Sequence, residues 1–170
     1  MDFDLKTAAA NDFAKLSAGE VVKLDGAVFT ARDQTCVELF GENPPEISWE
    51  NKVVFFAGPS PTPPGKVCGS IGPTTSTRME KYFEEFLSRG ARGFLGKGEI
   101  SPDAIEILKK SGAVFFVAVG GVAALSAQKI AKMKTVAFQN LGPEAVFEIE
   151  FQNFPAVVAV DARGKNIFPK

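Results

Sequence analysis

Histidine does not occur anywhere in the 170 residues. Its absence excludes Ser-His-Asp and Cys-His catalysis, and zinc sites built on imidazole, from what this chain can do alone. Cysteine is nearly as scarce, with only Cys36 and Cys68 present. Two cysteines make no disulfide framework, and an intracellular, reduced setting is the expectation. They also fall short of the three or four thiolates that an iron–sulfur cluster normally takes, so no cluster is expected on this chain by itself. Basic charge is not in excess: 19 Lys and Arg face 20 Asp and Glu, for a net charge of -1. A duplex-binding surface needs a basic stripe to displace counterions, so nucleic acid is not an expected partner. Long hydrophobic runs are missing as well. The longest, Gly112 to Leu125, is broken by Gly120-Gly121 and is shorter than the roughly 20 residues of a membrane helix. The opening MDFDLKTAAANDF is acidic and lacks an apolar signal core, so a cytoplasmic location is expected.

What is present is ordinary globular material, 45% hydrophobic and 23% charged, in a length that suits one domain over residues 1–170. Glu20 to Ala31 reads as a strand, with Asp25-Gly26 as a turn or bulge inside it. Asp33 is placed to cap a short helix through Phe40. Gly41 to Trp49 is turn-rich, and Val53 to Phe56 is a compact buried strand. The stretch AGPSPTPPGKVCGS, with four prolines and three glycines, marks a rigid loop. Met79, Tyr82, Phe83, Phe86 and Leu87 share one face of a helix predicted over Ser76 to Arg89, closed by Gly90. Arg92 to Leu95 is a short strand. Ser101-Pro102-Asp103 is a well-formed helix start, and the helix ends at Lys109-Lys110 and Gly112.

Ala113 to Val119 is apolar on both faces, as expected of a strand covered on two sides. A helix is predicted over Gly121 to Met133. Strands are predicted near 135–138, 145–151 and 156–161. The fold class is α/β, with a strand–helix alternating centre and β-rich ends.

Three segments carry candidate chemistry. In Gly69–Met79 a strand ends, glycines permit close backbone approach, and Thr74, Thr75 and Ser76 lie at the start of the predicted amphipathic helix. Unpaired amides and the macrodipole there favour an anion, and Arg78 can add a bidentate contact. The competing reading makes Thr75 or Ser76 a plain cap and Arg78 a solvated residue. Thr30-Ala31-Arg32-Asp33 closes a strand with adjacent opposite charges, and Gly96-Lys97-Gly98 sets a lysine between glycines just after a strand. Ligands of open α/β sheets bind beyond the carboxyl ends of strands, so Arg32, Arg78 and Lys97 can clamp a small dianion. A local Arg32–Asp33 pair and a solvated Lys97 are the alternative. Neither phosphate-loop fingerprint is present. Cys36 and Cys68 read as buried fillers rather than nucleophiles.

These segments together resemble the beta subunit, or C-terminal domain, of class I fumarate hydratases and L-tartrate dehydratases. The resemblance runs from about Gly19 to Phe168. It rests on TARD (Thr30–Asp33), FAGPSPTPPGKVCGSIGPTTSTRM (Phe56–Met79), GKG (Gly96–Gly98), GAVFFVAVGGVAAL (Gly112–Leu125), LGPEAV (Leu141–Val146) and FPAVVAVDARG (Phe154–Gly164). It implies a swivelling β/β/α domain. It also implies a hydro-lyase that adds or removes water across a four-carbon dicarboxylate, fumarate to malate first, tartrate as the near alternative.

A [4Fe–4S] cluster held by three cysteines of an alpha subunit would supply a Lewis-acidic iron, so an alpha-subunit partner is implied. Arg32, Arg78 and Lys97 would bind substrate or stabilise charge, with Gly72, Thr75 and Ser76 lining it. Thr74 would serve proton transfer, with Asp33 close by. The family usually shows R-D-x-x-H where this chain has Arg32-Asp33-Gln34-Thr35-Cys36, and Asp is common where Glu80 stands. Two other classes remain beside this one: a non-catalytic dicarboxylate-binding or assembly module, and a phosphate-binding domain using the Gly72–Arg78 loop. Symmetric self-association of the isolated chain is the base-rate expectation.

Overall fold

The computed structural model describes residues 1–118 and 127–169. The chain opens on β1 (Asp2–Asp4) and a single turn, α1 (Ala10–Phe13), both too short to show a period in the sequence. β2 (Val21–Thr30) runs into α2 (Asp33–Leu39). The turn-rich segment that follows is held by Trp49, packed edge-on against Phe29 and Phe86. β3 (Val53–Phe55) leads to β4 (Ala57–Pro59), which pairs antiparallel with β5 (Ile71–Pro73). Two 3-10 turns, Ser76–Arg78 and Glu80–Tyr82, precede α3 (Phe83–Ser88). Then come β6 (Gly93–Gly96), α4 (Pro102–Ser111) and β7 (Val114–Ala118). β8 (Ile130–Ala137), a 3-10 stretch at Gln139–Glu144 and the long β9 (Val146–Val160) complete the chain.

β2, β3, β6 and β7 run parallel in that order, and β9 lies antiparallel to both β7 and β2. Since β2 pairs with β3 on one side and with β9 on the other, five strands close into a barrel, with β1 and β8 as extensions. The chain is thus a mixed α/β domain with a sheet-dominated core. α2, α3 and α4 each connect one parallel strand to the next, and they cover the barrel from outside. Strand side chains alternate faces. Val28, Val53, Phe55, Leu95, Val114 and Phe116 therefore enter one apolar cluster, while Phe29, Val54, Phe56, Phe94 and Phe115 enter the other with Met79, Phe83, Phe86 and Leu108 of the connections. That is why Ala113 to Val119 reads as apolar on both faces. α4 forms as its caps predict: Ser101 Oγ accepts from the Ala104 amide, and Gly112 takes the left-handed conformation at φ 64°.

Several local expectations are corrected. The helix predicted over Ser76 to Arg89 is α-helical only in α3, because the amides of Met79 and Tyr82 close tighter i to i+3 bonds onto Ser76 O and Met79 O and make the first two turns 3-10. Its apolar face survives the change, with Met79, Phe83, Phe86 and Leu87 buried. The proline-rich segment is loop only between β4 and β5. Asp33 is the first residue of α2, and Arg32 holds the cap position. The helix predicted over Gly121 to Met133 is strand from Ile130 onward; its residues 121–126 lie outside the described residues.

The two tail strands predicted near 145–151 and 156–161 are one strand, β9. The Asn153–Phe154–Pro155 interruption is absorbed as a bulge. Asn153 adopts φ 52°, its amide donates to Asp25 Oδ1 at 2.9 Å, and the register shifts between Leu24 and Gly26 on β2. Asp25-Gly26 does mark the irregularity, though the extra residue sits on the partner strand.

Candidate active site

Parallel strands put their carboxyl ends on one side, and three of those ends carry the charged motifs. β2 delivers Arg32 and Asp33, β6 delivers Lys97, and the end of β3 anchors the Thr74 segment. Thr74 is held by its amide, which donates to Phe56 O at 2.7 Å. Thr75 then forms a parallel bridge with Lys97. A stack of Phe56, Phe83 and Phe94, with Phe83 and Phe94 centroids 4.1 Å apart, fixes α3 beneath these strand ends.

The side chains of Arg78, Thr74 and Asp33 meet. Arg78 Nη2 donates to Thr74 Oγ1 at 2.8 Å and lies 3.4 Å from Asp33 Oδ2. Arg32, beside Asp33, has its Nη2 3.9 Å from Glu144 Oε1. Its Nε is buried and has no hydrogen-bond partner among the described residues. Lys97 is exposed and forms no ion pair among the described residues. Gly72 sits on β5 opposite Gly58. Arg32, Asp33, Gly72 and Thr74 are half-buried, and Thr75 and Arg78 are exposed.

Ser76 departs from its expected role. It is fully buried, and its Oγ accepts from the Lys97 amide at 3.0 Å while its own amide donates to Lys97 O at 3.1 Å. It holds Lys97 instead of lining a ligand. The expected helix mouth at Thr74–Ser76 is also absent, since these residues lead into 3-10 turns. The cationic groups at these strand ends are side chains, those of Arg32, Arg78 and Lys97. Cys36 points into the core at 0% exposure; burial, with Asp33 adding to it, pushes its thiol up out of any acid–base range.

The sequence reading missed three residues. Glu144 accepts the Gln34 amide at 2.7 Å, standing in as the cap of α2, and its carbonyl accepts from Thr35 Oγ1. Gly58 makes room for Arg32, because a Cβ there would stand 2.9 Å from Arg32 Cδ. Glu80 holds Ser101. The GPEA and AGP motifs were the available signals for the first two, but a contact 110 residues away in the chain leaves no local pattern. Among the described residues, five clefts of about 290 to 710 Å³ are lined by residues other than Arg32, Thr74, Arg78 and Lys97. Thr75, Arg78 and Lys97 are exposed, so the cluster opens to solvent on their side.

A mixed barrel of four parallel strands closed by one antiparallel strand, presenting arginine, threonine, aspartate and lysine beyond its parallel strand ends, defines an α/β domain with a cation-rich face. The chain belongs to the family described as Fumarase C-terminus, whose model matches residues 1–170. It is 34% identical over 178 residues to a putative L(+)-tartrate dehydratase subunit beta from Methanocaldococcus jannaschii, covering 99% of this chain and 91% of that protein. It is 37% identical over 159 residues to fumarate hydratase 2 of Leishmania major, covering 89% of this chain and 28% of that protein. With the aerobic class I fumarate hydratase of Escherichia coli it shares 33% over 175 residues, 97% of this chain and 32% of that protein. The chain thus spans nearly all of the archaeal relative and about a third or less of the fumarate hydratases.

Proposed function

We propose that the chain is the beta half of a hydro-lyase that reversibly hydrates a four-carbon dicarboxylate, fumarate to malate, and that it works with an alpha subunit. The single observation that carries the reading is the Arg78 guanidinium set between Thr74 Oγ1 and Asp33. Because Thr74 Oγ1 accepts from Arg78, its own O–H is free to point at a substrate. The adjacent cation favours the alkoxide form that proton transfer requires, which a free threonine does not reach. Thr74 is the proton-transfer residue, at the carbon next to the one that carries the hydroxyl. Asp33 fixes the Arg78 fork, while Arg32, Arg78 and Lys97 grip the two carboxylates beside Gly72 and Thr75. In this reading Ser76 acts through Lys97.

A [4Fe–4S] cluster does not fit this chain's residues. Cys36 and Cys68 are buried in separate apolar clusters, and burial pushes both thiols up, against the thiolate form that iron needs. Among the described residues no group of three or more His, Cys, Asp or Glu side chains is disposed to hold a metal. The cluster is assigned to the alpha subunit, which the open face of the candidate site would meet. Residues 1–170 form one domain of the swivelling β/β/α type, able to move against that partner, and the isolated chain self-associates symmetrically. No helix among the described residues is long and apolar enough to cross a membrane, and the location proposed for the enzyme is the cytoplasm.

The relative matched nearly end to end is named a tartrate dehydratase subunit, which makes tartrate the alternative substrate. The test is anaerobic assembly with a cluster-bearing alpha subunit, followed by turnover assays with fumarate, malate and tartrate. Fumarate hydration supports the reading, and tartrate dehydration alone selects the alternative. Malate binding without turnover of any four-carbon hydroxy acid leaves only a binding module.

A further inference from the structure

Between β6 and α4 lies a loop of a few residues, Lys97 to Ile100, that carries the candidate lysine. Its first residue is clipped at the backbone by Ser76 through two hydrogen bonds. Its far end is clipped by Glu80. One Glu80 oxygen accepts the Ser101 amide at 2.9 Å and the other accepts the Ser101 hydroxyl at 2.5 Å. The same hydroxyl oxygen accepts the Ala104 amide at 3.2 Å, so the α4 cap and the Glu80 clip are one connected system. Ser76 and Glu80 bracket Arg78, which reaches Thr74. Gly98, at φ 79° and with open space around its Cβ position, gives the loop no packing of its own. Ile100 is buried, but it follows Lys97 by three residues. The loop is therefore as rigid as its two clips.

We infer that Glu80 is a positioning residue for Lys97: its two-oxygen grip on Ser101 sets the separation between the Lys97 arm and the Thr74–Arg78 arm of the site. This rests on the proposed dicarboxylate chemistry. Glu80 is half-buried and its carboxylate is occupied by Ser101, so it acts through the loop and touches no substrate. Hydrogen bonds to an ionised acceptor are the stronger kind, which explains how one side chain can hold a glycine-flanked loop. In a site that must match a small dianion, a shift of about 1 Å has large kinetic consequences.

The experiment is a double-mutant cycle in the assembled enzyme, reading kcat and KM for malate with wild type, Glu80→Ala, Lys97→Ala and the double variant. Glu80→Ala is expected to lower kcat/KM about tenfold, and to add nothing when Lys97 is already alanine, since coupled residues are non-additive. Glu80→Gln keeps the volume and one acceptor, folds as wild type, and is expected to fall between the two. Wild-type turnover with additive losses, or with an unaffected Glu80→Ala, overturns the positioning role and leaves the proposed function standing. Absence of wild-type turnover on every four-carbon substrate overturns both.

Discussion

Arg78 holds two oxygens of opposite character with one nitrogen, the Thr74 hydroxyl at 2.8 Å and the Asp33 carboxylate at 3.4 Å. The two N–H bonds of that nitrogen lie in the rigid guanidinium plane, so their directions are set together. Lys97 is the complementary case, a cation whose backbone is fixed and whose head is left exposed. Arg78→Ala and Lys97→Ala should each lower kcat/KM of the assembled enzyme at least about tenfold; steady-state kinetics with malate check this, and two unchanged values remove both residues from the site. The meeting of Arg78 with Thr74 and Asp33 was partly legible in sequence, because both motifs were expected beyond the carboxyl ends of parallel strands. Ser76 was not. A hydroxyl at a presumed helix start looks like a ligand-facing group, and only the third dimension shows it turned inward to Lys97. Cys36 was legible as a core residue because a free cysteine packs as a small apolar group, and it lies with Leu39 on the buried side of α2.

At the scale of elements, the site depends on how closely β6 approaches the Thr74–Arg78 segment. Gly96 is the enabling residue: a Cβ there would overlap Ser76 Oγ and lie 3.3 Å from the Phe115 ring. Gly96→Ala should destabilise the fold by about 1–3 kcal/mol through overpacking, and should separate Lys97 from Ser76. A lower midpoint in urea, with reduced turnover in the folded fraction, is the expected result. α4 was legible in the sequence because its start and stop signals are local. The Ser76–Arg89 helix misled because an apolar period reports which face is buried and not which carbonyl each amide meets. The Met79 and Tyr82 amides meet carbonyls three residues back instead of four, and the Ser76 amide meets Lys97 O. β9 was divided in the reading for a similar reason. Asn153 and Pro155 look like a break until Asp25 captures the Asn153 amide and turns it into a bulge.

For the whole molecule, closure of the barrel brings β9 beside β2 and places the segment after β9 against the segment before β2. Asp161 makes that junction. It is fully buried and accepts the amides of Ala18 at 3.3 Å, Arg163 at 2.9 Å and Lys165 at 3.1 Å, along with the Arg163 guanidinium at 3.0 Å. Burial alone pushes the carboxyl up, but these donors outweigh it and hold it below the usual carboxylate range. A carboxylate depressed in the folded state contributes stability above its unfolded pKa of about 4, and loses it as pH falls through the lower folded value. Asp161→Asn should therefore cost about 1–3 kcal/mol at neutral pH. The gap from wild type should narrow below about pH 4; urea melts across that range check it. The alternation of strands and helices was visible along the chain, but closure was not, because the β2–β9 pairing joins its two ends.

In the proposed function the proton-transfer oxygen lies on this chain, at Thr74, beside the Arg78 guanidinium. Steady-state kinetics of malate dehydration by the assembled enzyme carrying Thr74→Val test that claim most directly. The expected result is a kcat lowered about 100-fold or more with KM within a few-fold of wild type, the mark of an interaction made only in the transition state. A Thr74→Val enzyme with wild-type kcat would contradict the account, and would put the proton-transfer group on the partner.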